Sequence, residues 1–285
     1  GYSWNKSKKI GGVIDVIDDN LQSKVSEMRK SGLNIMMSMK DDAKPVSFIE
    51  DCAVELKDLA EYTNGLNKIF DKYNVKGTWY AHASVGCLHV RPVLNMKIQD
   101  DVEKMRNIAN ETSSLVKKFN GSYSGEHGDG IARSEFNEVM FGKKMINIFK
   151  IIKNSFDPFN IFNPGKIVDA PKLDSRNLFR YAPSYNAQNI NTILDWSSWT
   201  GASGGFQGAI EMCNNNGSCR KLDGGVMCPS FRVTKDEKDS TRGRANSLRL
   251  ALSGQLGKDA LTSEKMDDTM KLCVSCKACK RECPT

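Results

Sequence analysis

The chain has 285 residues, 39% hydrophobic and 26% charged, which suits one large or two ordinary globular domains and excludes a disordered or fibrous polymer. The formal charge of +7 is scattered: residues 206–285 hold 14 Lys and Arg against 10 Asp and Glu, interleaved as in Lys235-Asp236-Glu237-Lys238-Asp239, so nucleic acid is not an expected partner. No run approaches the roughly 18–20 apolar residues of a membrane span, and Gly1-Tyr2-Ser3-Trp4 is neither a signal peptide nor a start methionine.

Along residues 10–170, helix-like and strand-like segments alternate. Gln22–Arg29 has helical composition, and the apolar stretch Leu33–Met39 reads as a strand, as does Val46–Val54. Leu56, Leu59, Ala60, Tyr62, Leu66, Ile69 and Phe70 recur at helical spacing through Glu55–Tyr73. Gly77–Leu94 is strand-rich with a glycine turn, and Asp100–Phe119 is an amphipathic helix stopped by Asn120-Gly121. Ser124–Gly130 is glycine-rich, and Ser134–Lys153 is helical up to a stop at Asp157-Pro158. This alternation predicts an α+β arrangement with an antiparallel sheet. From about Pro171 to Gly205 the pattern dissolves into Asn, Ser, Pro and Gly, and Trp196–Gly205 reads as a linker or docking loop. Beyond it only helices are expected, at Arg242–Ser253 and Ser263–Lys271.

Cysteine is unevenly placed: seven of nine lie in the last 73 residues. Cys273, Cys276, Cys279 and Cys283 stand at the spacing C-x2-C-x2-C-x3-C-P, in which three thiolates on one winding loop reach one iron–sulfur cubane and the fourth crosses to a second cluster. Zinc prefers paired knuckles further apart, and loops this short would strain disulfides. A sparser group, Cys213, Cys219 and Cys228 before Pro229, carries Asn216 where a middle cysteine would stand. The crossing rule then assembles Cys273, Cys276, Cys279 and Cys228 into a complete [4Fe–4S] site. It leaves Cys213, Cys219 and Cys283 as a three-cysteine site that holds [3Fe–4S], borrows a non-cysteine ligand, or stays empty.

There are only three histidines, and all fall in two glycine-containing segments: His82 and His89 in Tyr80–Pro92, and His127 beside Glu126 in Ser124–Gly130. A single strand histidine is commonly structural. Two imidazoles with a carboxylate, however, suit a divalent metal such as zinc or manganese, and a remaining imidazole suits a general base.

These segments resemble a known group. Phe48–Val54, the His82–His89 segment, Ser124-Gly125-Glu126-His127-Gly128, Phe156-Asp157-Pro158 and Asn163-Pro164-Gly165-Lys166 are similar to the C-terminal cap half of FAD-linked oxidases, which include D-lactate, glycolate and D-2-hydroxyglutarate dehydrogenases. Ser240–Asn246 and Leu272–Cys279 resemble the ferredoxin-type module fused to that oxidase in large bacterial proteins. The resemblance implies an antiparallel-sheet cap over residues 1–170, a linker at 171–205 and a mostly α-helical ferredoxin-like iron–sulfur domain at 206–285. It implies FAD as cofactor, His82, His89 and Glu126 as metal ligands, His127 as the residue taking the hydroxyl proton, and Asn163 near the flavin. Arg91 is added as a carboxylate contact, because guanidinium binds carboxylates bidentately. Many relatives read Gly, Asp and Asn where Ser84, Val85 and Cys87 stand, which puts a polar substrate contact at Cys87 in doubt.

The implied reaction is oxidation of a D-2-hydroxyacid, D-2-hydroxyglutarate first, with electrons leaving through [4Fe–4S] to an unnamed acceptor. D-lactate or glycolate oxidation, or a non-catalytic electron-transfer subunit, are the alternatives; a zinc-stabilised interaction module is the weakest. Nothing here resembles the family's pyrophosphate loops, and the chain ends two residues after Cys283, so an internal piece of a longer polypeptide that holds FAD poorly alone is expected. The location expected for free thiols is the cytoplasm, with attachment to the inner membrane face and homo-oligomers left open.

Overall fold

The computed structural model describes residues 14–285 except 184, 187, 189, 202 and 203, and the side chains of Lys30 and Leu33 are likewise outside the description. The start of the expected first domain and two positions of the Trp196–Gly205 loop therefore lie outside the described residues.

The first helix, α1 (Asp19–Met37), begins where the Asp18 carboxylate accepts the Leu21 N–H at 2.8 Å, an ordinary N-cap. It takes in Leu33–Met37 of the segment expected to be a strand at Leu33–Met39 and ends at Ser38. An apolar run this short fits either element, and here it continues the helical turn already begun. The expected strand Val46–Val54 is also corrected. Only β1 (Lys44–Pro45) and β2 (Cys52–Ala53) pair, while residues 48–51 turn so that Phe48, Ile49 and Asp51 point inward, all at 1% exposure or less.

The expected amphipathic helix follows as α2 (Leu59–Lys72), burying Tyr62, Leu66, Ile69 and Phe70. The strand-rich region becomes β3 (Gly77–His82) and β4 (Cys87–Leu94), an antiparallel pair with Tyr80 opposite His89 and His82 opposite Cys87. β4 is the central strand: β3 pairs with it, and β1 and β2 pair with its two ends. Its connection to β3 needs Gly86, whose φ is +71° and whose Cα lies so near the Val54 carbonyl that a Cβ would sit 1.9 Å from that oxygen.

Helix α3 (Gln99–Lys118) crosses the sheet and buries Val102, Met105, Ile108, Ala109 and Val116 against α2 and the strands. Each large side chain so buried stabilises the fold by roughly 1.5–3 kcal/mol. After the short turn α4 (Gly130–Arg133), the single helix expected over Ser134–Lys153 is two, α5 (Asn137–Phe141) and α6 (Lys143–Phe156). Gly142 separates them at φ +80°, which a right-handed helix does not admit.

The C-terminal part holds five helices and no strand among the described residues: α7 (Gly205–Glu211), α8 (Pro229–Thr234), α9 (Thr241–Leu252), α10 (Glu264–Met270) and α11 (Ala278–Glu282). Ser240 and Ser263 cap α9 and α10 by accepting the N–H groups of Gly243 and Met266. The fold class is thus α+β, a small antiparallel sheet followed by helices. A buried ion cluster joins the two parts: Lys97 Nζ lies 2.6 Å from Asp42 Oδ1 and 2.5 Å from Glu211 Oε2 of α7.

Candidate active site and cluster ligands

The sheet edge and one loop bring all three histidines onto a single carboxylate. His82 ends β3 and His89 sits on β4, while Glu126 and His127 lie in the loop after α3. The Nε2 atoms of His82, His89 and His127 stand 3.4, 2.9 and 3.4 Å from Glu126 Oε1. The rings of His89 and His127 stack at 5.0 Å with planes 7° apart, and His82 meets His89 edge-on.

Hydrogen bonds fix which nitrogens are bare. His89 Nδ1 lies 2.6 Å from the Glu50 carbonyl oxygen, which can only accept, so Nδ1 carries a proton, and Nε2 is turned toward Glu126 Oε1 at 2.9 Å. An imidazole oriented through Nδ1 by a backbone carbonyl, with its other nitrogen toward a carboxylate, is the arrangement of a metal ligand. His127 Nδ1 faces two carboxylates, Asp51 Oδ1 at 3.6 Å and Glu50 Oε1 at 4.0 Å, which favours its proton there and leaves Nε2 free. His82 differs. Arg29 of α1, a pure donor, lies 3.2 Å from His82 Nδ1, so in this arrangement the His82 proton is on Nε2. Ligation through that nitrogen requires Arg29 to let go.

The loop is held from below by Asp51, a residue sequence reading quoted without assigning it a role. Its carboxylate is 0% exposed. It accepts the backbone N–H of Glu126 at 3.1 Å, that of His127 at 2.9 Å and the Ser124 hydroxyl at 3.0 Å. Burial alone would raise the Asp51 pKa; the N–H groups of His127 and Glu126 and the Ser124 hydroxyl outweigh it and hold it below the usual value. The acid pair Glu50-Asp51 in the middle of the otherwise apolar stretch Phe48–Val54 was the available signal. Cys87 lies close by, its Sγ 3.8 Å from Asp51 Oδ1, and burial first, then Asp51 and Glu126, push its thiol up to about 11.

One ligand atom each from Asp51, Cys87, His89 and Glu126 lies within 4.8 Å of the others. Asp51 already spends its oxygens on backbone donors, and Cys87 holds its proton. The donors that suit a divalent cation are therefore His89, Glu126 and, once released, His82.

Two cavities meet at His127. One, about 250 Å³, is walled by Arg29, Tyr80, His82, His89, Arg91 and His127. Arg91 does line it, but its Nε and one Nη are bound to Glu50 Oε2 at 2.6 and 2.5 Å. Arg29, whose guanidinium also lies 5.0 Å over the Tyr80 ring, is the second cavity cation, and sequence reading missed it. The other cavity, about 590 Å³, runs from His127 past Phe149, Ile152 and Phe162 to Asn163. Asn163 stands at φ +48° and accepts from Lys166 Nζ at 3.2 Å.

All seven C-terminal cysteines are free thiols. Burial first, and then the nearby sulfurs of Cys276, Cys273 and Cys228, push Cys279 up. Cys213 is raised by burial, with Cys219 and Cys283 adding to it. For Cys228, burial is outweighed by donors from Ser230, Phe231, Thr241 and Arg244, so its thiolate is favoured. Cys213, Cys219, Cys279 and Cys283 line one cavity, and Cys219, Cys228 and Cys283 belong to one packed cluster.

Residues 7–167 match the family model of the FAD linked oxidases, C-terminal domain, and residues 209–285 match that of a 4Fe-4S dicluster domain. The chain is 30% identical to the D-2-hydroxyglutarate dehydrogenase of Pantoea ananatis (strain AJ13355), over 96% of this chain and 30% of that protein. It is 28% identical to that of Escherichia coli (strain K12), over 99% of this chain and 29% of the relative. A glycolate oxidase subunit of Bacillus subtilis (strain 168) is 29% identical over 50% of this chain and 30% of that protein. The chain spans about 30% of the length of the curated relatives it matches. FAD and an iron–sulfur cluster are the cofactors these domains support. The chain belongs to the FAD-linked oxidase family by its C-terminal domain, here joined to an iron–sulfur dicluster domain.

Proposed function

We propose that this chain supplies the substrate cap and the electron outlet of an FAD- and iron–sulfur-dependent D-2-hydroxyacid dehydrogenase. Residues 1–170 form the cap, 171–205 the linker and 206–285 the iron–sulfur domain. The observation that carries the reading is the position of His127, in the wall of both the small polar cavity and the larger one that ends at Asn163. A base so placed can reach a substrate hydroxyl on one side while the carbon bearing it faces the other. D-2-hydroxyglutarate is the proposed acid, because the relatives matched over nearly the whole chain carry that name, whereas the glycolate oxidase subunit matches over half.

When bound, FAD would take the hydride, a divalent metal would polarise the hydroxyl, and the four-iron cluster would pass electrons on singly. The chain's own residues do the rest. His89 and Glu126, joined by His82, hold the cation, for which zinc or manganese suits two imidazoles and a carboxylate. His127 Nε2 takes the hydroxyl proton, while Asp51 and Glu50 keep the Nδ1 proton in place. Arg29 is the cation available to a substrate carboxylate, because among the described residues it holds only His82 and the Tyr80 face, and Arg91 offers what Glu50 leaves free. Asn163 lines the flavin side. Cys273, Cys276, Cys279 and Cys228 hold the complete cluster. We place the protein in the reducing cytoplasm on its nine thiols.

The test is His127→Ala in the full-length protein. Turnover of D-2-hydroxyglutarate is expected to fall about 10²–10⁴-fold, with bound metal unchanged. Turnover at the wild-type rate would overturn the assignment.

A further inference from the structure

A dicluster domain calls for two four-iron clusters, but the second ligand set of this chain is one thiolate short. We propose that Cys213, Cys219 and Cys283 hold a three-iron [3Fe–4S] cluster beside the complete [4Fe–4S] site, an inference that rests on the iron–sulfur reading above.

The three sulfurs share a cavity of about 330 Å³ with Asn216, Thr241 and Arg242. The backbone N–H of Arg242 already donates to Cys219 Sγ at 3.4 Å, the kind of N–H···S contact that steadies a cluster thiolate. The Arg242 guanidinium is clamped by Glu237 at 2.7 and 2.9 Å, which keeps a cation at the cavity mouth. Three of a cubane's four corners are therefore provided.

The fourth corner falls to Asn216, and its side chain is committed elsewhere. Asn216 Oδ1 accepts the Ser218 N–H at 2.8 Å, and its Nδ2 donates to Asn214 Oδ1 at 2.5 Å, closing a local turn. A neutral amide oxygen is also a hard donor for a site that soft thiolates select. Cys279 lines the same cavity, but in the C-x2-C-x2-C run it is the third thiolate of the loop that serves the other cluster with Cys273 and Cys276. An iron at the fourth corner would have no thiolate, and a cubane lacking that iron is the three-iron cluster.

The experiment is iron and acid-labile sulfide analysis with electron paramagnetic resonance on the full chain, purified anaerobically under reductant. The expected content is about seven irons per chain, with the near-isotropic signal of an oxidised three-iron cluster. Cys213→Ser is expected to lose that signal and fall to about four irons, keeping the reduced four-iron signal. Asn216→Ala should leave the signal intact, and Asn216→Cys should raise iron to about eight and abolish it. About eight irons in the wild type, or conversion to that content on adding ferrous iron anaerobically, would overturn the proposal, as would about four. Loss of the signal in Asn216→Ala would do the same. Absence of all iron and sulfide would instead sink the iron–sulfur reading itself, so the two failures are distinct.

Discussion

Asp51→Asn changes one buried atom and is the sharpest test of how the histidine site is built. The wild-type carboxylate has no exposure and receives two backbone N–H groups and one hydroxyl at 2.9–3.1 Å. Asparagine keeps one oxygen, but its amide N–H groups then face donors from His127 or Ser124. Hydrogen bonds to a charged group are worth about 1.5–3 kcal/mol, and a stranded buried donor costs about 1–3, so a net loss of about 2–4 kcal/mol is expected. The loop carrying Glu126 and His127 should then shift, and zinc affinity should fall about 10–100-fold. Calorimetric melting with zinc titration of the chelator-treated chain measures both. The pH dependence follows from the sign of the shift. The Asp51 pKa is lowered in the folded protein, so its contribution is fully present above the ordinary aspartate value of about 4 and is lost as pH falls through its lower folded value. The difference in melting temperature between wild type and variant should therefore be constant across neutral pH and close in acid. A variant that melts like the wild type and binds zinc equally well would refute the reasoning.

Lys97→Met removes the cation shared by Asp42 and Glu211, each with a side chain at most 6% exposed; Glu211 keeps the Tyr185 hydroxyl and the Gln207 amide, so a cost of about 3 kcal/mol, the low end for a broken buried pair, is expected. Chemical denaturation should register this as a lower midpoint, and an unchanged midpoint would show that the latch adds nothing. Gly86→Ala places a Cβ 1.9 Å from the Val54 carbonyl at φ +71°, so a loss of about 1–3 kcal/mol or more is expected, together with weaker zinc binding because the same turn sets His82 against His89. Thermal melting and metal titration read both effects. His89→Ala should weaken zinc binding more than His82→Ala, since His89 is already oriented by the Glu50 carbonyl with Nε2 toward Glu126 while His82 must first lose Arg29; equal losses by calorimetry would count against that ranking.

The helices α2, α3 and α9 were legible because each repeats an apolar or capped pattern over three or more turns, which no strand can imitate. Leu33–Met39 was not, since seven residues carry too few periods to separate helix from strand. Val46–Val54 failed for a different reason. A largely apolar stretch that reads as a strand is broken at Asp51, whose partners lie more than 70 residues away at Ser124, Glu126 and His127. The three histidines and Glu126 were readable through scarcity and spacing. Arg29 and Lys97 were not, because each is one ordinary cation on a helix face or loop, given meaning only by what the fold sets opposite it. Gly142, which splits one expected helix into two, shows the limit of composition: a glycine within a helical pattern is tolerated or terminates it according to its φ.

The corner of the C-terminal part that carries the cysteines has very little oil in it. Its buried cluster is Cys219, Met227, Cys228, Phe231 and Ala278, so only Met227 and Phe231 are large hydrocarbons and two of the five are thiols. The cap is the opposite, a continuous core from Phe48 through Tyr62 and Ile108 to Met140. On the cluster reading, metal–sulfur bonds do for this corner what hydrocarbon burial does for the cap, and ligand affinity becomes folding free energy. The two parts then fail under different insults: heat and denaturant attack the cap, whereas oxidants and iron chelators melt the cysteine-bearing corner and expose it to proteases at temperatures the cap survives. The working lifetime of such a protein is set by iron supply as much as by its sequence.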